Sequence, residues 1–265
     1  MGVKKRIYFE NNGSNPIDIN ATTVSRYYLL APSDLSIGTG LRYEIPSVIP
    51  TDLDFIYLAK DFDGAKIPNK AINPTFGDYL QAGTLTKNGT GSECYLSNAG
   101  SQNNYLYVDL TSAQVTSIKA LAGTTYTWFI RVANSSGLGG IVSTRNNEDS
   151  NYVYMIRSND SQLQVHDSTG RNLGSNFTLG SENVFKVRIS GTSYYAKNLT
   201  TGSEWSQTNS TTKAMGTRLK TFYAGAGTGG QEAKLASFYA MAGIPRDTTA
   251  EEDEIMKNCL LGQSI

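Results

Sequence analysis

Apolar positions in this chain recur at every second residue far more often than at every third or fourth. The clearest run is Thr125–Val132, where Tyr126, Trp128, Ile130 and Val132 alternate with Thr125, Thr127 and Arg131. That is the period of a strand with one buried face. Leu106, Val108 and Leu110 alternate in the same way with Tyr105, Tyr107 and Asp109. Phe55–Ala59 and Glu93–Leu96 read as strands, and 140–144, 152–157, 162–166, 184–189, 192–197 and 219–224 follow at the spacing of a sandwich. Thr169-Gly170, Gly191 and Thr201-Gly202 fall where hairpin turns are needed. The pattern predicts an all-β protein, an antiparallel β-sandwich.

The end of the chain is different. In residues 234–244, Leu235, Ser237, Tyr239 and Met241 face one way and Ala236, Phe238, Ala240 and Ala242 the other. Both sets are largely apolar, so this strand is expected to be covered on both faces. Pro245 ends its ladder. Thr249 with Glu252 three residues on forms a capping box, with Thr248 and Glu251 as an overlapping alternative. The acidic run Glu251–Glu254 suits a helix N-terminus, Ile255, Met256, Cys259 and Leu260 make its apolar stripe, and Gly262 supplies the stop. A short helical stretch is expected over Ala113–Leu121, where Val115 and Ile118 have helical spacing.

Residues 1–50 do not share the strand grammar. Prolines 32, 46 and 50 break them up, and they read as an N-terminal arm or attachment segment ahead of a domain at 51–265. Formal net charge is zero and charged residues are 17%, so neither nucleic acid nor an anionic membrane is an expected partner. No apolar run is long enough for membrane insertion, and the segment after the basic first six residues is not the apolar core of a signal peptide. Cys94 and Cys259 both sit in apolar patterns and read as buried free thiols. Asn-X-Ser/Thr sequons such as Asn88-Gly-Thr are read as chance in so Asn- and Thr-rich a chain.

Four passages, in order, resemble concanavalin A-like jelly rolls, and among them laminin-G-like modules. Tyr57–Gly64 with Ala82–Thr86 is similar to the opening of such modules, and Tyr105–Leu110 to their "YVDL" strand. Thr124–Arg131 is similar to the strand usually read as "FTIEAWVK". Residues 223–227, then 234–244 and the acidic helix, resemble the closing passage. The resemblance covers about residues 54–262 and implies a jelly roll. It does not fix a function, because that sandwich carries lectins, glycosidases and virion appendages alike.

Retaining glycosidases need two carboxyl groups about 5.5 Å apart. The related sandwich enzymes place theirs on one strand as Glu-x-Asp-x-x-Glu, and no strand here has that spacing. His166, the single histidine, can build neither a zinc site nor, without a serine elbow, a triad. Gly225–Gly230 lacks the Lys-Ser/Thr of a phosphate loop. The expectation is no enzyme. Calcium is the cofactor the resemblance admits, at a loop rim of Asp, Asn and main-chain oxygens. Asp61, Asp63, Asn146 and Asp149 are residues of that type, and turn formation explains them equally well.

Glycan binding is the better functional reading, since sugars stack on aromatic faces and hydrogen-bond to nearby polar groups. Trp205, Tyr152, Tyr154, Tyr194 and Tyr195 are the candidate ligand-binding residues, with Trp205 placed in a polar loop beside Glu204; core or subunit packing is the competing explanation for each. The composition and the arm resemble bacteriophage virion proteins of tail, fibre or capsid-decoration type. That implies host-surface glycan, other virion subunits and further copies of the chain as partners. The alternatives are a bacterial carbohydrate-binding module, extracellular and soluble or on the cell surface, or a glycoside hydrolase using Glu204 or Asp63.

Overall fold

The computed structural model describes residues 49–98, 103–135, 139–144, 155–159, 162–166, 170–172, 182–208, 216–222 and 235–263. The chain divides into a unit of residues 1–48 and a unit of 49–265, and every described residue belongs to the second. The expected arm therefore lies outside the described residues, except for Ile49 and Pro50, which are buried.

Two antiparallel sheets make the sandwich. The first contains β1 (Phe55–Leu58), β4 (Thr86–Asn88), β5 (Tyr95–Ser97), β7 (Thr125–Ser135), β12 (Asn183–Ser190), β13 (Ser193–Asn198), β14 (Glu204–Thr208) and β16 (Leu235–Ile244). Its order is β14-β13-β12-β7-β16-β5-β4, with β1 also paired to β16. The second contains β2 (Lys66–Ile67), β3 (Tyr79–Ala82), β6 (Tyr105–Asp109), β8 (Gly139–Ser143), β9 (Met155–Asn159), β10 (Gln162–His166), β11 (Gly170–Asn172) and β15 (Arg218–Thr221). It runs β11-β10-β9-β8-β15-β6-β3-β2.

The alternation read from the sequence fills the space between the sheets. Tyr126, Trp128, Ile130 and Val132 of β7 point inward and meet Leu106 and Val108 of β6 in one core, joined by Phe185, Val187, Leu219 and Val142. The opposite face of the first sheet is covered as well. Helix α2 (Ala250–Gly262) lays Met256, Cys259 and Leu260 against Phe129, Val184, Ala240, Ala242 and Ile244, forming a second core that includes Ile49 and Leu53. Strand β16 is thus buried on both faces, as its composition requires. Cys94 and Cys259 are buried and unbridged.

Strict alternation along β16 is broken. A bulge between Phe238 and Ala240 inserts one residue, so Phe238 joins Met241 in the inter-sheet core while Ala240 and Ala242 face the helix. Tyr239, at the bulge, stacks under the Arg131 guanidinium instead. Gly243 is demanded by the close approach of β1: a Cβ there would lie 2.5 Å from the Phe55 ring and 2.6 Å from the Tyr126 hydroxyl.

Helix α1 (Ser112–Lys119) is capped by Thr111 and Gln114, and α2 by Thr249 and Glu252, each a reciprocal box. The end of α2 departs from expectation. Gly262 stays helical, and Gln263 takes the left-handed position at φ 44°. Its side chain explains why a non-glycine is held there. The amide nitrogen donates to the carbonyls of Cys94 (2.5 Å) and Ser92 (3.0 Å), and Oε1 accepts from the Lys60 N–H (2.8 Å).

Candidate functional site

The residues singled out from the sequence do not converge. Trp205 is not in a loop: it lies on β14, the edge strand of the first sheet, opposite Ala196. Glu204, Ser206 and Thr208 are exposed and Trp205 and Gln207 half-buried, so this polar stretch is a period-two strand. The hairpin that returns it is closed by Asn198, whose Oδ1 accepts from Thr200 and Thr201, with Gly202 at φ 80°. The Trp205 ring packs on the inter-sheet core. Tyr194 is wholly buried in that core and offers no face to a ligand. Tyr152 and Tyr154 lie outside the described residues.

Tyr195 points the other way, onto the outer face. Its ring lies 4.9 Å from the Arg188 guanidinium carbon. Burial and the adjacent Glu204 carboxylate push its phenol up to about 12. Glu204 in turn pairs with Lys197 at 2.9 Å. The expected aromatic platform is therefore split across two faces of one sheet edge.

The expected calcium set fares similarly. Asn146 and Asp149 lie outside the described residues. Asp61 ends a single 3-10 turn. Asp63 Oδ1 accepts from the N–H groups of Ala65 (2.8 Å) and Lys66 (2.9 Å), which hold its carboxyl below the usual range. The Lys87 ammonium donates to the Lys60 and Phe62 carbonyls (2.5 and 2.9 Å) beside that turn. Among the described residues no group of three or more His, Cys, Asp or Glu is placed to hold a metal.

A different cluster stands on the outer face of the second sheet, where β6 pairs with β15. In register, Arg218 lies opposite Asp109 and Lys220 opposite Tyr107, while Leu80 of β3 flanks Tyr107 on its other side. The Arg218 fork grips the Asp109 carboxylate, Nε to Oδ1 at 2.6 Å and Nη2 to Oδ2 at 3.0 Å. The same guanidinium lies over the Tyr107 ring at 4.3 Å. The Lys220 ammonium lies over the Tyr105 ring at 5.2 Å, and the two rings are 6.0 Å apart. Lys220 is only 3% exposed. Burial, then the Arg218 charge, pull its ammonium down to about 8. Asp109 and Leu80 are exposed, and both tyrosines half-buried.

The alternation of Tyr105, Tyr107 and Asp109 against an apolar face shows in the sequence. Their partners do not, because Arg218 and Lys220 are more than a hundred residues away and only strand pairing brings them opposite.

Several of the described carboxylates are held low by basic partners. A catalytic acid needs a raised pKa and access to substrate. Arg246 holds Asp52 and Glu252 low, Lys66 holds Asp78 low, and Lys197 and then Tyr195 hold Glu204 low. Asp54 is raised by burial, yet it is 5% exposed and accepts from Tyr126 at 2.9 Å and from Thr75.

No protein-family model and no curated sequence matches the chain. Solved structures do match in fold. Domain 4 of AbnA, a GH43 extracellular arabinanase from Geobacillus stearothermophilus in complex with arabinotriose, superposes with a TM-score of 0.54 at 9% identity, over 78% of this chain and 98% of that one. Trypanosoma rangeli sialidase in complex with sialic acid gives 0.54 at 8% identity, over 81% of this chain and 34% of that one. The binding domain of Botulinum Neurotoxin DC in complex with SialylT gives 0.52 at 9%, over 79% and 52%. This chain thus spans a whole arabinanase domain, about a third of the sialidase and about half of the toxin's binding domain. At such identities the likeness is one of architecture: the protein is an antiparallel β-sandwich with a short C-terminal helix.

Proposed function

We propose that the chain is a non-enzymatic glycan-binding module whose ligand lies on the outer face of the second sheet. The observation that carries this reading is the meeting of two tyrosine rings, two cations and a carboxylate on adjacent strands there. Aromatic surface takes the C–H faces of a sugar, and the flanking charged groups take its hydroxyls. The matched arabinanase domain, sialidase and toxin domain are each in complex with a named ligand, arabinotriose, sialic acid and SialylT, which supports a glycan as the ligand class. The basic partners that hold Asp52, Glu252, Asp78 and Glu204 low support binding over hydrolysis.

The setting we infer is a phage particle, as a tail, fibre or capsid-decoration component of laminin-G-like type. Residues 1–50 attach the module to other virion subunits, and the sandwich faces host-surface glycan. Deleting residues 1–48 then abolishes incorporation into particles; unchanged incorporation sinks that setting and leaves a bacterial carbohydrate-binding module.

The binding itself is tested by a glycan array probed with the full chain and with Tyr107→Ala. Specific binding that the variant loses is the expected result. Silence across a broad array reassigns the tyrosines to packing and subunit contacts.

A further inference from the structure

We infer that the glycan bound at this face is a neutral sugar, two adjacent hydroxyls of which meet the Arg218–Asp109 clasp. This rests on the glycan-binding reading above and specifies its ligand class. A guanidinium carries five N–H donors and a carboxylate about four acceptor sites, and the clasp uses two of each. Among the described residues neither side chain makes another hydrogen bond. The Asp109 side chain is 65% exposed and that of Arg218 37%, so the spare donors and acceptors stand side by side at the surface. Neighbouring hydroxyls on a sugar ring, each both donor and acceptor, fit such a mixed edge. One donates to the carboxylate while the other accepts from the guanidinium.

The same clasp disfavours an acid. A ligand carboxylate would have to evict Asp109, exchanging one exposed ion pair for another with little gain, or lie beside it against a like charge. A neutral sugar leaves the pair intact and adds hydrogen bonds to ionised groups, which are the stronger kind. Apolar contact stands next to it. Tyr107 precedes Asp109 by two residues on the same face of β6, about 7 Å away along the strand, a spacing that one pyranose ring spans. The guanidinium covers one side of the Tyr107 ring, and Leu80, 37% exposed, flanks that residue from β3. Sugar C–H groups resting on Tyr107 and Leu80 thus bring the hydroxyl edge of the ring to Asp109. Lys220, 3% exposed, makes no contact with the sugar in this arrangement.

The test is an array of neutral oligosaccharides probed with the full chain. Each is printed beside a counterpart lacking one of two adjacent hydroxyls and beside one carrying a uronate in place of the primary alcohol. Loss of the hydroxyl should weaken binding by roughly tenfold or more, the worth of a hydrogen bond to a charged group. The uronate should bind no better than the neutral sugar, and binding of the neutral sugar should change little as salt is raised. Asp109→Ala and Arg218→Met should each bind the parent sugar no better than its deoxy counterpart, a levelling that mere loss of stability would not produce. Tighter binding of the uronate overturns the neutral assignment and leaves the glycan-binding reading standing. So does a hydroxyl preference untouched in both variants, or no such preference in the parent chain. No binding to any glycan removes both readings.

Discussion

Arg131 reaches from the middle of β7 to the last turn of α2, where its guanidinium donates to the Leu260 carbonyl at 2.9 Å. The same group donates to the carbonyls of Leu261 (2.8 Å) and Ser92 (2.7 Å), pairs with Glu182, and covers the Tyr239 ring. The final carbonyls of a helix have no partner within it, and a cation there also meets the negative end of the helix dipole. An arginine that is 1% exposed is therefore the joint between the sheet and the helix that covers it.

Replacing Arg131 by methionine should cost about 3 kcal/mol, because it strands Glu182 and the Leu261 oxygen in a part-buried setting and leaves the Ser92 and Leu260 oxygens with Gln263 as their remaining donor. Urea denaturation measures the loss. Hydrogen exchange should show the last turn of α2 opening before the sandwich does; a variant with unchanged midpoint and unchanged exchange contradicts this account.

Asp54 makes a pH prediction with a definite sign. Its folded pKa is raised, chiefly by burial, against the hydrogen bonds from Thr75 and Tyr126. The folded state thus holds this proton more tightly than the unfolded chain, and the group's contribution falls as pH rises from the unfolded value through the folded one. Asp52, Asp78 and Glu252 have lowered values and act in the opposite direction, losing stability as pH falls through their folded values. Asp54→Asn removes only the first effect. Relative to the parent, the variant should gain stability steadily as pH is raised from the acid side; a constant difference between the two would show that Asp54 keeps its ordinary pKa.

Lys220 should titrate near pH 8 in the folded chain, which nuclear magnetic resonance of the methylated amine can follow. Burial is the main cause and the Arg218 charge the second, so Arg218→Gln should move the titration upward. Asp109→Asn should move it further down, since that carboxylate favours the charged form. A midpoint at the ordinary lysine value, about 10.4, would place the amine in water.

Much of this architecture is written in local pattern. The alternation around Trp128, the capping boxes at Thr111 and Thr249 and the two-faced burial of β16 each follow from side chains a few residues apart. The errors have equally physical causes. A bulge resets the face of every later residue in β16, and nothing in the apolar string from Ala236 to Ala242 announces it. Trp205 sits among polar neighbours because an edge strand needs only one half-buried face. The Arg218–Asp109 clasp was invisible for a third reason: β15 and β6 are distant in sequence, and pairing register, not local chemistry, sets them opposite.

Chelation addresses the loop at Asp63. Its carboxylate is committed to two main-chain N–H groups, and the Lys87 ammonium already lies on the Lys60 and Phe62 oxygens that a cation would use. The thermal midpoint should be the same in EDTA and in millimolar calcium. A calcium-dependent rise that Asp63→Ala abolishes would establish a metal site at this turn.

Trp205 separates packing from recognition. Its ring is half-buried against the inter-sheet core, on the opposite side of the sheet from Tyr195 and on a different sheet from Tyr107. Trp205→Ala should therefore lower stability by about 2 kcal/mol, roughly half the cost at a fully buried site. It should leave glycan affinity, measured below the unfolding transition, at the parental level. Tyr107→Ala should cost a similar amount of stability, since its ring is also half-buried, but here binding disappears. If instead Trp205→Ala abolishes binding while Tyr107→Ala does not, the ligand sits at the β14 edge, and Trp205 with Gln207 becomes the platform to which it binds.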